Sequence, residues 1–374
     1  MLLKEVYNQE FLKNLSEAIF EIDKNFDVKN FLKISQEKNW HDLALKQRMR
    51  AITITIDKLL SCKTYVEKVE VLKKSILKIF KDKNSGLALI IFPDFIEVFG
   101  CQEYRSQANK TESLNFSMQA LEFFTEFGTS EFAVRQFVKL DQKLSLEIFS
   151  KWTKSKNYHV RRLVSEGLRP RLPWGESLPE FKKNPLSILP ILEELKNDEF
   201  EYVRRSVANN LNDISKDHPQ VILNLMKNWQ NDVDPKLIKH ALRTLLKSGN
   251  KEALEIIGVK TDLKITKNFL IKNFDLKKTE IKIGGILEFD FALQNQSSAQ
   301  NIRLEYVVYF LRKNGGYSKK IFQVTSKNFP QGVFQFNKKH SFKNLTTRNH
   351  YCGKHLISLV VNGFEVDKKS FELM

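Results

Sequence analysis

The chain has 374 residues, 42% of them apolar, which suffices for two or three packed domains and excludes a disordered polypeptide. Its 61 Lys+Arg over 44 Asp+Glu give a formal charge of +17 and an isoelectric point near 9.5. Polyanions, meaning nucleic acid or an acidic membrane surface, are therefore the leading partners, with a basic but merely well-solvated surface as the plainer account.

The opening stretch, "MLLKEVYNQEFLKNLSEAIF", carries charges in every turn and lacks an apolar run of signal-peptide length, and no later segment is long and apolar enough to span a bilayer. The expectation is a cytoplasmic protein with no membrane association. Cys62, Cys101 and Cys352 are few, odd in number and widely spaced, which supports neither a disulfide framework nor a zinc site.

Up to about residue 260 the pattern is helical, as in "ESLNFSMQALEFFTEFG" and "PLSILPILEELKND", with apolar residues three and four apart between Pro, Gly and Asn-Asp breaks. This part repeats. "HVRRLVSEGL" (159–168) matches "YVRRSVANNL" (202–211) at an offset of 43 residues, and "LIKHALRTLL" (237–246) is a weaker third copy after a further 35. Such spacing predicts a mainly α HEAT-like solenoid, a superhelix whose units bury their apolar faces by stacking. Val160, Val164 and Leu168 form one buried stripe, as do Val203, Val207 and Leu211. Arg162 and Glu166 then fall opposite, with Arg205 and Asn209 in the matching places.

From Lys151 to Gly175 there are seven Lys+Arg against one acid, Glu166. The segment ends in "RPRLPWG", where Pro170 and Pro173 must stop the helix and hold an extended corner. That corner would present Arg169, Arg171 and Trp174 as a stiff prong: arginine offers a planar fork to phosphate, and tryptophan an apolar face to a sugar, base or cation. The Arg161–Arg162 and Arg204–Arg205 pairs are also what ordinary repeat surface looks like, neutralising helix ends, and Trp174 could equally pack between repeats.

From about residue 265 the texture changes. "GGILEFDFALQNQS", "NIRLEYVVYFLRKNGGYSKKIFQV" and "HLISLVVNGFEVDKKSFEL" alternate apolar with polar residues around Gly-Gly and Asn-Gly turns. A small all-β immunoglobulin-like sandwich follows, giving domains at 1–262 and 263–374. Residues 262–374 hold 19 Lys+Arg against 9 Asp+Glu, more than half of the excess positive charge. In "TTRNHYCGKH" a loop carrying Arg348, His350 and Lys354 is placed to enter a DNA groove.

"HVRRLVSEGLRPRLPW", "PLSILPILEELKND", "YVRRSVANNLNDISKDHP" and "HSFKNLTTRNHY" together resemble the AlkC branch of the AlkD-like DNA alkylation repair glycosylases. The resemblance implies a HEAT-like enzyme that hydrolyses the N-glycosidic bond of small cationic methylated bases in double-stranded DNA, 3-methyladenine and in some members 3-methylcytosine. It also implies an immunoglobulin-like domain that helps grip DNA, contact from the backbone side without a deep nucleobase pocket, and catalytic carboxylates at Glu131 in "GTSEFAVRQF", Glu166, and Asp213 in "NNLNDISKDHP". Each acid has a plainer use. Glu131 would suit a helix first turn, Glu166 would pair with Arg162 at i, i+4, and Asp213 would cap the next helix or pair with Lys216. The rival to the glycosylase is a non-catalytic HEAT scaffold binding DNA, RNA or protein. No cofactor is expected: there is no Gly-rich phosphate loop or Ser/Cys nucleophile arrangement, and His159, His218 and His240 lack ligand spacing. The expected state is a nucleoid-associated monomer.

Overall fold

The computed structural model describes residues 2–37, 39–79, 86–262, 267–345 and 349–374. They form two compact units that divide between Asp217 and His218.

The first unit is built from α1 (Gln9–Ile22), α2 (Val28–Leu32), α3 (Leu45–Leu59), α4 (Tyr65–Ile79), α5 (Ile91–Phe95), α6 (Cys101–Ser106), α7 (Lys110–Phe124), α8 (Val134–Leu140), α9 (Gln142–Trp152), α10 (Tyr158–Gly167), α11 (Pro179–Lys183), α12 (Leu189–Leu195) and α13 (Glu201–Ile214). The helices stack in pairs, α1 on α4, α3 on α5 and α10 on α13. The last pair is the repeat seen in the sequence, and all six stripe residues from Val160 to Leu211 are buried.

Helix α10 starts at Asn157, whose side chain accepts the His159 N–H, and stops at Gly167, ahead of Pro170. A Cβ on Gly167 would meet Val134 Cγ2 at 2.7 Å, so glycine is what lets this helix end lie against α8. The corner that follows is folded rather than extended. Gly175 N–H donates to the Leu172 carbonyl at 3.1 Å and Leu178 N–H to the Pro170 carbonyl at 3.2 Å, while the buried Leu172 side chain draws the segment inward. Apolar burial of one residue thus overrides the extended bias of its prolines.

The second unit begins with α14 (Pro219–Trp229), α15 (Pro235–Ala241), α16 (Arg243–Lys247) and α17 (Lys251–Ile256). The weak third repeat is therefore two short helices broken at Leu242. Next come β1 (Phe269–Leu276), β2 (Glu280–Ile281), β3 (Ile286–Asn295), β4 (Gln300–Leu311), β5 (Tyr317–Phe329), β6 (Gly332–Ser341), β7 (Gly353–Val361) and β8 (Phe364–Leu373), in sheets ordered β1-β3-β6 and β2-β8-β7-β4-β5. Phe289, Phe291, Leu293, Leu304, Val308, Ile357 and Leu359 meet in the core between them. Asn362 and Gly363 turn β7 into β8 with φ of 49° and 84°, the left-handed pair that an Asn-Gly hairpin supplies. The sandwich is tied to the helices of its own unit: Asn301 Nδ2 donates to the Gly258 carbonyl at 3.3 Å and Asn362 Nδ2 to the Lys260 carbonyl at 3.1 Å. Among the described residues no helix is long and apolar enough to cross a membrane.

Three histidines are buried in the sandwich. The rings of His340, His350 and His355 surround Phe342 with centroids 5.0, 5.2 and 5.8 Å away. His350 is therefore not a groove-reading loop residue as its sequence suggested: burying the ring against Phe310 and Phe342 is worth more than leaving it in water. Lys354 is exposed, but at the start of strand β7 rather than in a loop, and Arg348 lies outside the described residues.

His355 Nδ1 donates to the Gly353 carbonyl at 2.9 Å, while among the described residues its buried Nε2 meets no partner. Burial holds the imidazole below its usual range of 6.5, against the pull of the Gly353 carbonyl and Glu372. The unfolded chain then binds the proton more readily than the folded one, so the contribution of the neutral ring is complete above about pH 6.5 and declines as pH falls toward the lower folded value. Denaturant melts between pH 8 and 5 should show wild-type stability dropping below pH 6.5 more steeply than that of His355→Leu. Parallel curves for the two proteins would remove His355 as the cause.

Candidate active site

The three expected carboxylates are brought together in the first unit and joined by arginines. Glu131 lies in the turn before α8, where Thr129 Oγ1 donates to its Oε2 at 2.9 Å. Arg162 of α10 donates through Nη1 to the same Glu131 oxygen and to Thr129 Oγ1, the latter at 3.0 Å. Its Nη2 lies 3.7 Å from Glu166 Oε1. Arg169 extends the chain, donating from Nη1 to Glu166 Oε1 at 2.5 Å and from Nε to Asp213 Oδ2 at 2.8 Å. Ser206 Oγ completes Glu166 at 2.6 Å, and Lys216 Nζ completes Asp213 at 2.8 Å. The result is a row, Glu131–Arg162–Glu166–Arg169–Asp213, in which acid and base alternate across the turn before α8, α10, the corner and α13.

Burial would drive these charges out unless they compensated one another. The side chains of Glu166, Arg169 and Asp213 are 7, 7 and 1% exposed, and those of Glu131 and Arg162 are 12 and 15% exposed. Burial works against both guanidiniums, yet Glu131 and Glu166 around Arg162, and Glu166 and Asp213 around Arg169, hold each above the ordinary arginine range. The Arg162 guanidinium also sits 5.2 Å over the half-exposed Tyr202 ring. A cleft of about 780 Å³ opens beside it, walled by Thr129, Tyr158, His159 and Tyr202.

The corner is anchored from behind. Arg135 of α8, itself 1% exposed, donates Nη1 to the carbonyls of Gly167 at 2.8 Å and Arg169 at 2.7 Å, and Nε to that of Glu176 at 2.7 Å. The Gly167 carbonyl is one that the end of α10 leaves without a helical partner, and that of Arg169 lies just past the cap. Burial, with Arg169 as a like charge nearby, pushes this guanidinium down to about 10. At the tip Trp174 has φ of 62° and a side chain left 65% exposed. A non-glycine residue held there stores on the order of 1–3 kcal/mol of strain that its surroundings must sustain.

Residues 270–374 match the family model described as the C-terminal Ig-like domain of the uncharacterised protein YhaZ. Over 374 residues, 99% of each chain, the sequence is 39% identical to the uncharacterized protein YhaZ of Bacillus subtilis. In structure it is similar to the Pseudomonas fluorescens alkylpurine DNA glycosylase AlkC bound to DNA containing an abasic-site analogue, with a TM-score of 0.89 and 31% identity over the whole of both chains. The chain belongs to the AlkC family. AlkD2 from Streptococcus mutans is 24% identical over 57% of this chain and 97% of its own, at a TM-score of 0.37.

Within this AlkC-type architecture several expected DNA contacts are occupied internally. Arg161 is buried and forks onto Asp198 while its Nη1 donates to the Ser155 carbonyl at 2.8 Å, which ties two interhelical loops. Arg204 folds back onto the carbonyls of Asp198 and Glu199. Arg169 points inward because two buried acids demand it. Arg171 is exposed and pairs with Asp217, Arg205 is exposed, and Asn209 is half-buried. The plainer uses of the acids hold as well: Asp213 does pair with Lys216 and Glu166 with Arg162, although Glu131 precedes its helix and His218, not Asp213, caps α14.

Sequence reading missed Thr129, Arg135, Lys46 and Ser206. For Ser206 a signal existed: it takes the place of Leu163 in the repeat alignment, an apolar position turned polar where Glu166 needs a donor. Arg135 reads like any surface arginine.

Removing a shared buried partner strips an ion pair from two buried carboxylates at once, a loss on the order of 3–5 kcal/mol. Arg169→Met should therefore lower the unfolding free energy read from urea melts by that order, moving the midpoint down, while Arg171→Met leaves both unchanged. Equal midpoints for the two variants would mean that the Arg169 bridge contributes nothing.

Proposed function

We propose that this protein is a DNA glycosylase that hydrolyses the N-glycosidic bond of small cationic N3-methylated bases in double-stranded DNA, with 3-methyladenine as the lead substrate and 3-methylcytosine as the second. Its likeness to AlkC over the whole chain supports DNA alkylation repair. The observation that carries the finer reading is the alternating row in which Glu131, Glu166 and Asp213 share two arginines.

A base methylated on a ring nitrogen is already a cation, so it leaves as a neutral molecule and needs no general acid. The barrier lies in positive charge growing on deoxyribose C1′ and in aiming water at it. Fixed carboxylates do both: they stabilise an oxocarbenium-like transition state and accept the proton of the water. In this reading Glu131, Glu166 and Asp213 are the catalytic acids. Their arginines offset them in the free protein, and the remaining N–H groups of Arg162 are available to phosphates flanking the lesion. The negative atoms favour a cationic base over a neutral one. Trp174, Arg171, Arg205 and Asn209 form the remainder of the DNA-facing surface of the solenoid. Residues 263–374, with Lys354 among their exposed lysines, clamp the duplex.

Two measurements test this. Single-turnover base release from methylated duplex should fall about a hundredfold to a thousandfold when Glu131→Gln, Glu166→Gln and Asp213→Asn are combined, the scale for losing a transition-state charge partner. DNA affinity should hold or rise. Near wild-type release would reduce the row to structural ion pairs in a DNA-binding scaffold. For the exposed arginines, Arg171→Ala and Arg205→Ala should each make the salt dependence of binding shallower by about one counterion. Unchanged slopes would remove them from the interface.

A further inference from the structure

Trp174 combines three properties that packing alone does not require: a large apolar side chain left in solvent, a left-handed backbone, and a carbonyl held from a distant helix. The hand on that carbonyl is Lys46, 128 residues away in α3, whose Nζ donates to the Trp174 oxygen. The same ammonium lies 4.1 Å over the ring of Phe132, the residue next to Glu131. Lys46 thus touches both the corner that carries Trp174 and the turn that carries Glu131.

We propose that Lys46 is a positioning residue for lesion recognition, fixing the peptide after Trp174 and hence the direction of the indole relative to Glu131. This rests on the glycosylase reading above. Folding of the corner is secured elsewhere, by buried Leu172 beneath it and by Arg135 on the carbonyls of Gly167, Arg169 and Glu176. The peptide after Trp174, where φ is 62°, is held from two sides: within the corner by the Gly175 N–H on the Leu172 carbonyl, and from α3 by Lys46 on the Trp174 oxygen. A strained residue at a site persists only where its surroundings over-determine it, and Lys46 supplies the hold that comes from outside the corner. A long, half-buried ammonium is well matched to this role, because it reaches between two elements, donates to the carbonyl, and keeps its remaining charge against an aromatic face. Burial pushes its amine below the ordinary range against the pull of Glu97, Asp94, Glu131 and Glu176, in keeping with a side chain held in place rather than waving in solvent.

The test is a double-mutant cycle in the full-length protein, with Lys46→Met, Lys46→Arg, Trp174→Ala and the Lys46→Met/Trp174→Ala pair. Each is read by single-turnover base release from methylated duplex, by affinity for a duplex holding an abasic-site analogue, and by melting temperature. Lys46→Met should lower release about tenfold, the scale of a misaimed recognition group, with melting unchanged. Lys46→Arg should recover most of the loss, and adding Lys46→Met to Trp174→Ala should change nothing further, because both act through one indole. Wild-type behaviour of Lys46→Met, losses that multiply with those of Trp174→Ala, or losses that track a fall in melting temperature would each overturn the proposal. Should the wild-type protein release no base, the glycosylase reading fails, and the same cycle read on affinity still decides the role of Lys46.

Discussion

A guanidinium buried between two carboxylates is the constraint on which the rest of the first unit depends. Glu166 and Asp213 belong to successive repeats, and both lay a buried carboxylate oxygen on Arg169 between them. Arg169 reaches that position only because α10 stops at Gly167 and the chain doubles back through a proline corner. The corner in turn hangs from Arg135, which absorbs the carbonyls left over where the helix ends. One electrostatic requirement thus dictates a helix length, a glycine, two prolines and a buried arginine on a neighbouring helix.

The arrangement also explains how three acids come to lie together on a chain of charge +17. Each carboxylate is offset locally, so the row presents neither an unpaired negative patch nor a loosely held acid. Charges fixed before the substrate arrives act at full strength when a new charge appears beside them. Rigidity here is electrostatic in origin and is inherited from the repeat stack.

Much of this was legible in the sequence because periodic burial leaves a periodic trace. The Val160/Val164/Leu168 and Val203/Val207/Leu211 stripes, the stop before Pro170 and the Asn362-Gly363 hairpin follow from side-chain geometry at short range. The direction in which a charged side chain turns does not. Arg161, Arg169 and Arg171 are indistinguishable as letters; Asp198, the Glu166/Asp213 pair and Asp217, all but Glu166 far away in sequence, decide that the first two face inward and the third stays exposed. His350 failed for the same reason, since its burial depends on Phe310 and Phe342 closing over it from elsewhere in the sandwich. Long-range compensation of charge and long-range closure of a core are properties of pairs, and a single pass along the chain reads residues one at a time.

Helices α14 to α17 belong to the same compact unit as the sandwich, fastened to it by the side chains of Asn301 and Asn362. The stretch recognisable as immunoglobulin-like, residues 270–374, is therefore smaller than the piece that coheres. A gene rearrangement that moved only the recognisable part would strip a flank from β4 and leave Asn362 without the carbonyl it grips. The piece that coheres is the longer one, which keeps its helices, and its seam falls inside the helical run, upstream of the change from helix to strand.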